Sequence, residues 1–291
     1  MADEKNLQEE EQGCSPEACA GCAHASTCES NQGPQSFLED QNPFSSIKHV
    51  FGIVSGKGGV GKSFVTGSLA VELARRGHRV GILDADITGP SIQKMFGITN
   101  GAAGDENGIY PAESVGGIKI MSINMLLDDD TTPVIWRGPV LAGVVKQFWT
   151  DVIWGELDYL LVDLPPGTGD VPLTVFQSIP LEGIVIVTSP QSLVNMIVTK
   201  AYNMAKQMNI PVLGVIENYS YLECPDCGKH ISVFGESHID EIAAQLGLPV
   251  LGKMPICPDL AKLSDEGRFF EINNEMIQDA VETMEAVEAV Q

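Results

Sequence analysis

Eight consecutive residues, Gly56-Lys57-Gly58-Gly59-Val60-Gly61-Lys62-Ser63, have the types and spacing to hold the phosphates of a nucleotide. They fit the pattern G-x-x-x-x-G-K-[ST]. Glycines here let backbone N–H groups turn inward around phosphate oxygens, and a helix opening at the lysine adds the positive end of its dipole. Lys62 then reaches the β and γ phosphates of ATP, and Ser63 offers its hydroxyl to Mg²⁺. Such a loop needs carboxylates nearby. Asp163 ends the apolar run 159–162, a place from which an acidic side chain holds the magnesium's water shell. Asp84 and Asp86 follow the run 79–83, and either can position an attacking water. The segment Leu164-Pro165-Pro166-Gly167-Thr168-Gly169-Asp170 has the makings of a switch loop, with the Gly167 N–H offered to the γ-phosphate.

The cysteines form a second constellation. Cys224-Pro225-Asp226-Cys227 supplies two thiols to one metal centre, which is half of the usual four-ligand site. Two copies across a twofold axis would supply four. Alternatively His230, His238 or Cys257 of the same chain completes a zinc site. A redox dithiol fits less well, because the pair does not open a helix. Near the N-terminus Cys14, Cys19, Cys22 and Cys28 form a C-x4-C-x2-C-x5-C array with no core to belong to, enough for a second cluster. His24 could stand in for Cys14, and a zinc knuckle is the alternative, since thiolate count alone does not separate zinc from iron.

The elements that must position these groups are visible as short aliphatic runs at 47–54, 79–83, 159–162, 183–188, 211–216 and 249–254. Several are apolar on both faces, as buried parallel strands are. Helices are expected between them. Over 63–76, Val65, Leu69 and Leu73 recur at i, i+4 and i+8, and Gly77 supplies a C-terminal stop. Segments 192–207 and 271–289 read as helices in the same way. The alternation predicts an α/β fold, one doubly wound, mostly parallel sheet over residues 44–291. Residues 1–43, poor in large apolar side chains, are expected to be a flexible tail.

Of 291 residues, 44% are hydrophobic, enough for a substantial core. Acidic residues outnumber basic ones 39 to 17, and the net charge of −22 argues against broad nucleic-acid or anionic-membrane binding. No secretory signal opens the chain, and no run of about 18 apolar residues occurs that could span a bilayer. A cytoplasmic protein is expected. In that reducing setting clustered cysteines point to metal before disulfides.

Lys57 marks a departure from an ordinary phosphate loop. With it the chain resembles the deviant Walker A ATPases, the MinD, ParA and nitrogenase iron-protein relatives. The succession of segments 55–63, 83–91, Trp136-Arg137-Gly138-Pro139, 163–170 and the Cys224–Cys227 pair resembles the Mrp/ApbC family of iron–sulfur cluster carriers. The tail array is similar to that of longer-tailed members, with a shorter first interval. This resemblance implies a P-loop NTPase of the MinD/ParA type that hydrolyses ATP slowly with Mg²⁺ as a homodimer. It implies that Lys57 contacts the neighbouring subunit's ATP, that Asp86 orients the hydrolytic water, and that Asn218, after its strand, recognises adenine. It further implies a [4Fe–4S] cluster bridged by Cys224 and Cys227 of two copies and passed to apo iron–sulfur proteins. Three alternatives stand beside it. A positioning ATPase would want a basic helix or patch, whereas 271–291 is acidic and carries no Lys or Arg. A nitrogenase-iron-protein-like reductase would carry its cysteines singly on separate loops. A zinc-stabilised switch would hold no iron.

Overall fold

The computed structural model describes residues 37–86, 89, 91–126, 138–191 and 194–287. Cys14, Cys19, Cys22, Cys28 and His24 lie outside them, as do Trp136 and Arg137. Strand β1 (Ser46–Val54) is buried on both faces from residue 50 onward, which suits a strand at the centre of a sheet. After it come α1 (Lys62–Arg75), β2 (Val80–Asp84), α2 (Ile92–Met95) and a hairpin of β3 (Ala103–Asp105) and β4 (Gly108–Tyr110). The chain continues through β5 (Ala112–Glu113), β6 (Lys119–Ser122), α3 (Gly138–Thr150), β7 (Glu156–Asp163), α4 (Asp170–Ser178), β8 (Gly183–Thr188) and α5 (Val194–Gln207). It closes with β9 (Val212–Glu223), β10 (His230–Ile231), α6 (Ile239–Leu246), β11 (Val250–Pro255), α7 (Pro258–Asp265) and α8 (Gln278–Glu285).

The main sheet runs β10-β9-β8-β1-β7-β2-β6-β5, with β11 beside β9. β5 and β10 pair antiparallel and the other strands pair parallel, so the expected doubly wound, mostly parallel sheet is present. Parallel strands bring their carboxyl ends to one edge, where such sheets place their ligands. Register makes that edge exact enough for chemistry: Asp163 of β7 lies opposite Ile53 of β1 on one side and Asp84 of β2 on the other.

Helix α1 buries Val65, Leu69 and Leu73 completely, each burial being favourable by about 2 kcal/mol. Its C-terminus closes as expected at Gly77, whose φ is +92°: the Gly77 N–H donates to Ala74 O and the His78 N–H to Leu73 O. Among the described residues no helix is long and apolar enough to cross a membrane.

Three expectations need correction. The strand expected at 211–216 continues to Glu223, because β11 pairs with it as far as Tyr221, and this puts Asn218 inside the strand. The helix expected over 271–289 is broken; single 3₁₀ turns occupy Phe269–Glu271 and Glu275–Ile277, and α8 starts only at Gln278. Asn274 sets that boundary by accepting the Met276 N–H on its side chain. The packed body also starts before residue 44. The Glu39 N–H donates to Ser178 O, Trp149 Nε1 donates to Glu39 O, and Asn42 is buried, so hydrogen bonds hold a stretch whose composition offers little apolar area.

Candidate functional site

The loop between β1 and α1 is the candidate phosphate site, and two glycines set its path. Gly59 and Gly61 have φ of +78° and +77°, a left-handed conformation that side chains disfavour. Crowding adds to this at Gly61, where a Cβ would collide with Asn218 Nδ2, and at Gly56, where it would collide with Ile197. Gly61→Ala is therefore expected to lower stability by about 1–2 kcal/mol and weaken nucleotide binding about tenfold. Thermal melting beside a nucleotide titration checks both numbers.

Lys57, Gly58 and Gly59 stand exposed on the rim, Val60 is buried under the loop, and Lys62 opens α1. A cleft of about 300 Å³ is lined by Ser55, Lys57 to Ser63, Asp86, Gly89 and Pro166. Behind Lys62 and Ser63 of that lining lies Asp163, fully buried. Its carboxylate accepts from Ser63 Oγ at 2.6 Å and Thr66 Oγ1 at 2.6 Å and is ion-paired with Lys62 Nζ at 2.7 Å. This oxygen-rich set beside a helix N-terminus suits a phosphate-bound divalent cation.

The acidic residue that ends β2 and the one that follows it separate cleanly. Asp84 is 1% exposed, accepts the Asp86 N–H at 3.1 Å and Ser122 Oγ at 3.3 Å, and does not line the cleft. Burial above all, and then the charge of Asp163, holds its carboxyl well above the usual carboxylate range. Asp86 does line the cleft, with its Oδ2 3.9 Å from Lys62 Nζ and its side chain 14% exposed. Of the two, Asp86 is the one placed to meet a water.

Other expected residues have partners within the chain in this structure. Gly167 has φ of +90°, and its N–H donates to Ser55 O at 2.8 Å, so that donor is engaged within the loop pair. Asn218 Nδ2 donates to Val60 O at 3.0 Å, while its Oδ1 accepts the Tyr219 N–H, so in this structure its amide buttresses the phosphate loop. Lys57 Nζ donates to Gln191 Oε1 on the surface. Thr66, which donates to Asp163, and Gln191, which accepts from Lys57, are partners of the candidate site that the motif alone did not point to. Thr66 could have been found from helical phase, four residues after Lys62 and on the same face.

Cys224 and Cys227 lie at the tip of a hairpin, not on a free loop. β10 folds back on β9, pairing His230 with Glu223 and Ile231 with Leu222. The Cys224 N–H donates to Lys229 O, the Gly228 N–H returns to Cys224 O, and Gly228 takes φ of +69° to close the turn. Backbone N–H groups of Asp226 and Cys227, with the Cys227 side chain, hold the Cys224 thiol below its usual pKa. Both cysteines are free, as is Cys257. Among the described residues no group of three His, Cys, Asp or Glu is placed to hold a metal ion. His230 stacks on Tyr221 with centroids 3.9 Å apart, and His238 faces Glu241 at 3.6 Å. The single-chain zinc site weighed from sequence thus finds no third ligand here.

The chain is 46% identical over 264 residues to the iron–sulfur cluster carrier protein of Clostridium perfringens, an alignment covering 86% of this chain and 93% of that one. The solved nucleotide-binding protein of Archaeoglobus fulgidus in complex with ADP superimposes with a TM-score of 0.72 at 45% identity, over 80% of this chain and 91% of that one. The cell division ATPase MinD of Pyrococcus furiosus shares the fold at 21% identity, with a TM-score of 0.57 over 82% of this chain and 97% of that one. Residues 46–291 match the family model described as ParA, NUBPL iron-transfer P-loop NTPase. The chain belongs to the NUBPL iron-transfer P-loop NTPases of the ParA group.

Proposed function

We propose that this chain is an ATP-hydrolysing carrier of iron–sulfur clusters that acts as a homodimer in the cytoplasm. Its cargo is a [4Fe–4S] cluster held on Cys224 and Cys227 of both copies and passed to apo iron–sulfur proteins. The observation that carries this reading is the hairpin tip, which presents two thiols, one of them biased toward thiolate, and no third ligand from the described residues. A cluster asks for four thiolates, and a twofold axis supplies them from two such tips. The names of the curated relatives support the cargo. Cys14, Cys19, Cys22 and Cys28 would hold a second cluster on the N-terminal tail, ahead of the ATPase domain.

Bound ATP with Mg²⁺ supplies the free energy and reversibility of the switch. In this assignment Ser63 and Asp163 hold the cation, directly and through its water shell, and Lys62 neutralises phosphate charge. Asp86 orients the attacking water. The Gly167 N–H becomes available to the γ-phosphate once it leaves Ser55 O, a two-position element of the kind that nucleotide switches use. Lys57, exposed on the rim, reaches the nucleotide of the neighbouring subunit. Asn218 serves the adenine side while bracing Val60.

Anaerobic reconstitution of the full chain with iron and sulfide tests the proposal. Metal analysis and Mössbauer spectroscopy are expected to find two separable pools of iron and sulfide. One pool should vanish in Cys224→Ala/Cys227→Ala and the other when the four tail cysteines become alanine. Stoichiometric zinc with no bound sulfide would overturn the carrier reading.

A further inference from the structure

Glu217 is a fully buried carboxylate in the middle of β9, in register with Thr188 of β8 on one side and Lys253 of β11 on the other, and outside the phosphate cleft. Asn218 is buried next to it. Successive side chains of a strand point to opposite faces, and these two make separate attachments. Asn218 holds Val60 O of the phosphate loop. Glu217 turns the other way and accepts from Ser237 Oγ at 2.8 Å and from Ser220 Oγ. Tyr219 makes the second contact possible. Its φ is +59°, a positive value that among the described non-glycine residues only Asn209 also takes, and it breaks the alternation so that Ser220 returns to the Glu217 side. Neutral hydroxyls are weak compensation for burying a carboxylate, and an apolar residue of similar size would pack there at lower cost.

The Ser237 contact leads to the cysteines. Ser237 is the penultimate residue of the segment 232–238, which leaves β10, the return strand of the cysteine hairpin, and its Oγ also accepts the Ile239 N–H at the start of α6. Phe234 of the same segment lines a cleft of about 430 Å³ together with Gln191, the residue that Lys57 contacts. Two routes therefore join the phosphate loop to the segment behind the cysteines. One runs through Val60, Asn218, Glu217 and Ser237, and the other through Lys57, Gln191 and the cleft.

We propose that Glu217 is a positioning residue that transmits the state of the phosphate loop, through Ser237, to the hairpin carrying Cys224 and Cys227. A shift of Val60 moves Asn218, and the adjoining carboxylate carries the shift to Ser237 and the stem at His230 and Ile231. The inference rests on reading Cys224 and Cys227 as the cargo site, but its measurement needs no cargo.

The test is alkylation of the metal-free, full-length protein by N-ethylmaleimide, with Cys224 and Cys227 scored by peptide mass spectrometry. Adding Mg·ATP is expected to change their labelling rates by about fivefold or more, the scale of an ordinary coupling between two sites. Glu217→Met, which keeps bulk and removes the acceptor, is expected to bring the ratio near one while ATP affinity stays at the wild-type level. Ser237→Ala is expected to do the same and Ser237→Thr, which keeps the hydroxyl, to restore the response. Should Glu217→Met fail to fold, the two Ser237 variants decide. A wild-type protein whose labelling ignores ATP, or variants that keep the wild-type ratio, overturns the proposal. Failure of the cargo reading would appear separately, as absence of iron and sulfide in a protein whose thiols still respond to ATP.

Discussion

Lys62→Ala is expected to lower nucleotide affinity by about a hundredfold or more, equivalent to roughly 2.7 kcal/mol and within the range for lost charge-assisted hydrogen bonds. The same change should destabilise the nucleotide-free protein by about 3 kcal/mol. Both effects follow from one ammonium. Lys62 is 5% exposed and lies 2.7 Å from a carboxylate with no exposure at all, so its removal leaves Asp163 buried and uncompensated. Hydroxyls of Ser63 and Thr66 soften that loss, which is why the lower end of the range for a broken buried pair is expected. Asp84, kept toward its neutral form by burial, adds little to the charge left behind. Calorimetric titration with ATP and thermal melting read the two effects. The double variant Lys62→Ala/Asp163→Asn should regain part of the stability and none of the binding, because it removes the orphaned charge without replacing the phosphate ligand. ATP affinity within tenfold of wild type in Lys62→Ala would remove Lys62 from the phosphate site.

That site was legible in sequence to the extent that it is local. Residues 56–63 are one unbroken stretch that carries the glycines and lysine of the candidate phosphate site, and Asp163 announces itself by ending an apolar strand. What depends on register or burial was not legible. Asp84 and Asp86 look equivalent after the same strand, yet pairing with β7 sinks Asp84 beside Asp163 and leaves Asp86 at the cleft. Glu217 and Asn218 interrupt an apolar run and so seemed to end it, whereas the strand continues because β11 pairs alongside and polar partners wait on both faces. Helix α3 opens with Gly138-Pro139 and then runs apolar almost all round, which hides a 3.6-residue period. Strand β6 is four residues long and framed by Lys119 and Ser122, too short to stand out before β2 accepts it. The cysteine pair was visible as half a site and nothing more, since the missing half of a symmetric site is not written in the chain that carries it.

Cys224→Ala should deliver essentially no cluster to an apo iron–sulfur protein while leaving the fold and ATP affinity intact. The hairpin makes this separation possible. Cys224 is only partly buried, its turn is held by main-chain hydrogen bonds to Lys229 and Gly228, and these survive loss of the thiol. Stability is therefore expected to change by no more than about 0.5 kcal/mol, as for other surface substitutions. The phosphate site is built by other elements, so ATP titration should match wild type. Cargo is another matter. Under twofold symmetry one substitution per chain removes two of four thiolates, and the Asp226 and Cys227 N–H groups lose the sulfur on which they converge. Anaerobic transfer assays, following activation of an apoprotein by the loaded wild type and by the variant carried through identical reconstitution, make the comparison. Wild-type delivery by Cys224→Ala would place the transferred cluster elsewhere in the chain, and the hairpin would then lose its assigned role even though the ATPase site remained.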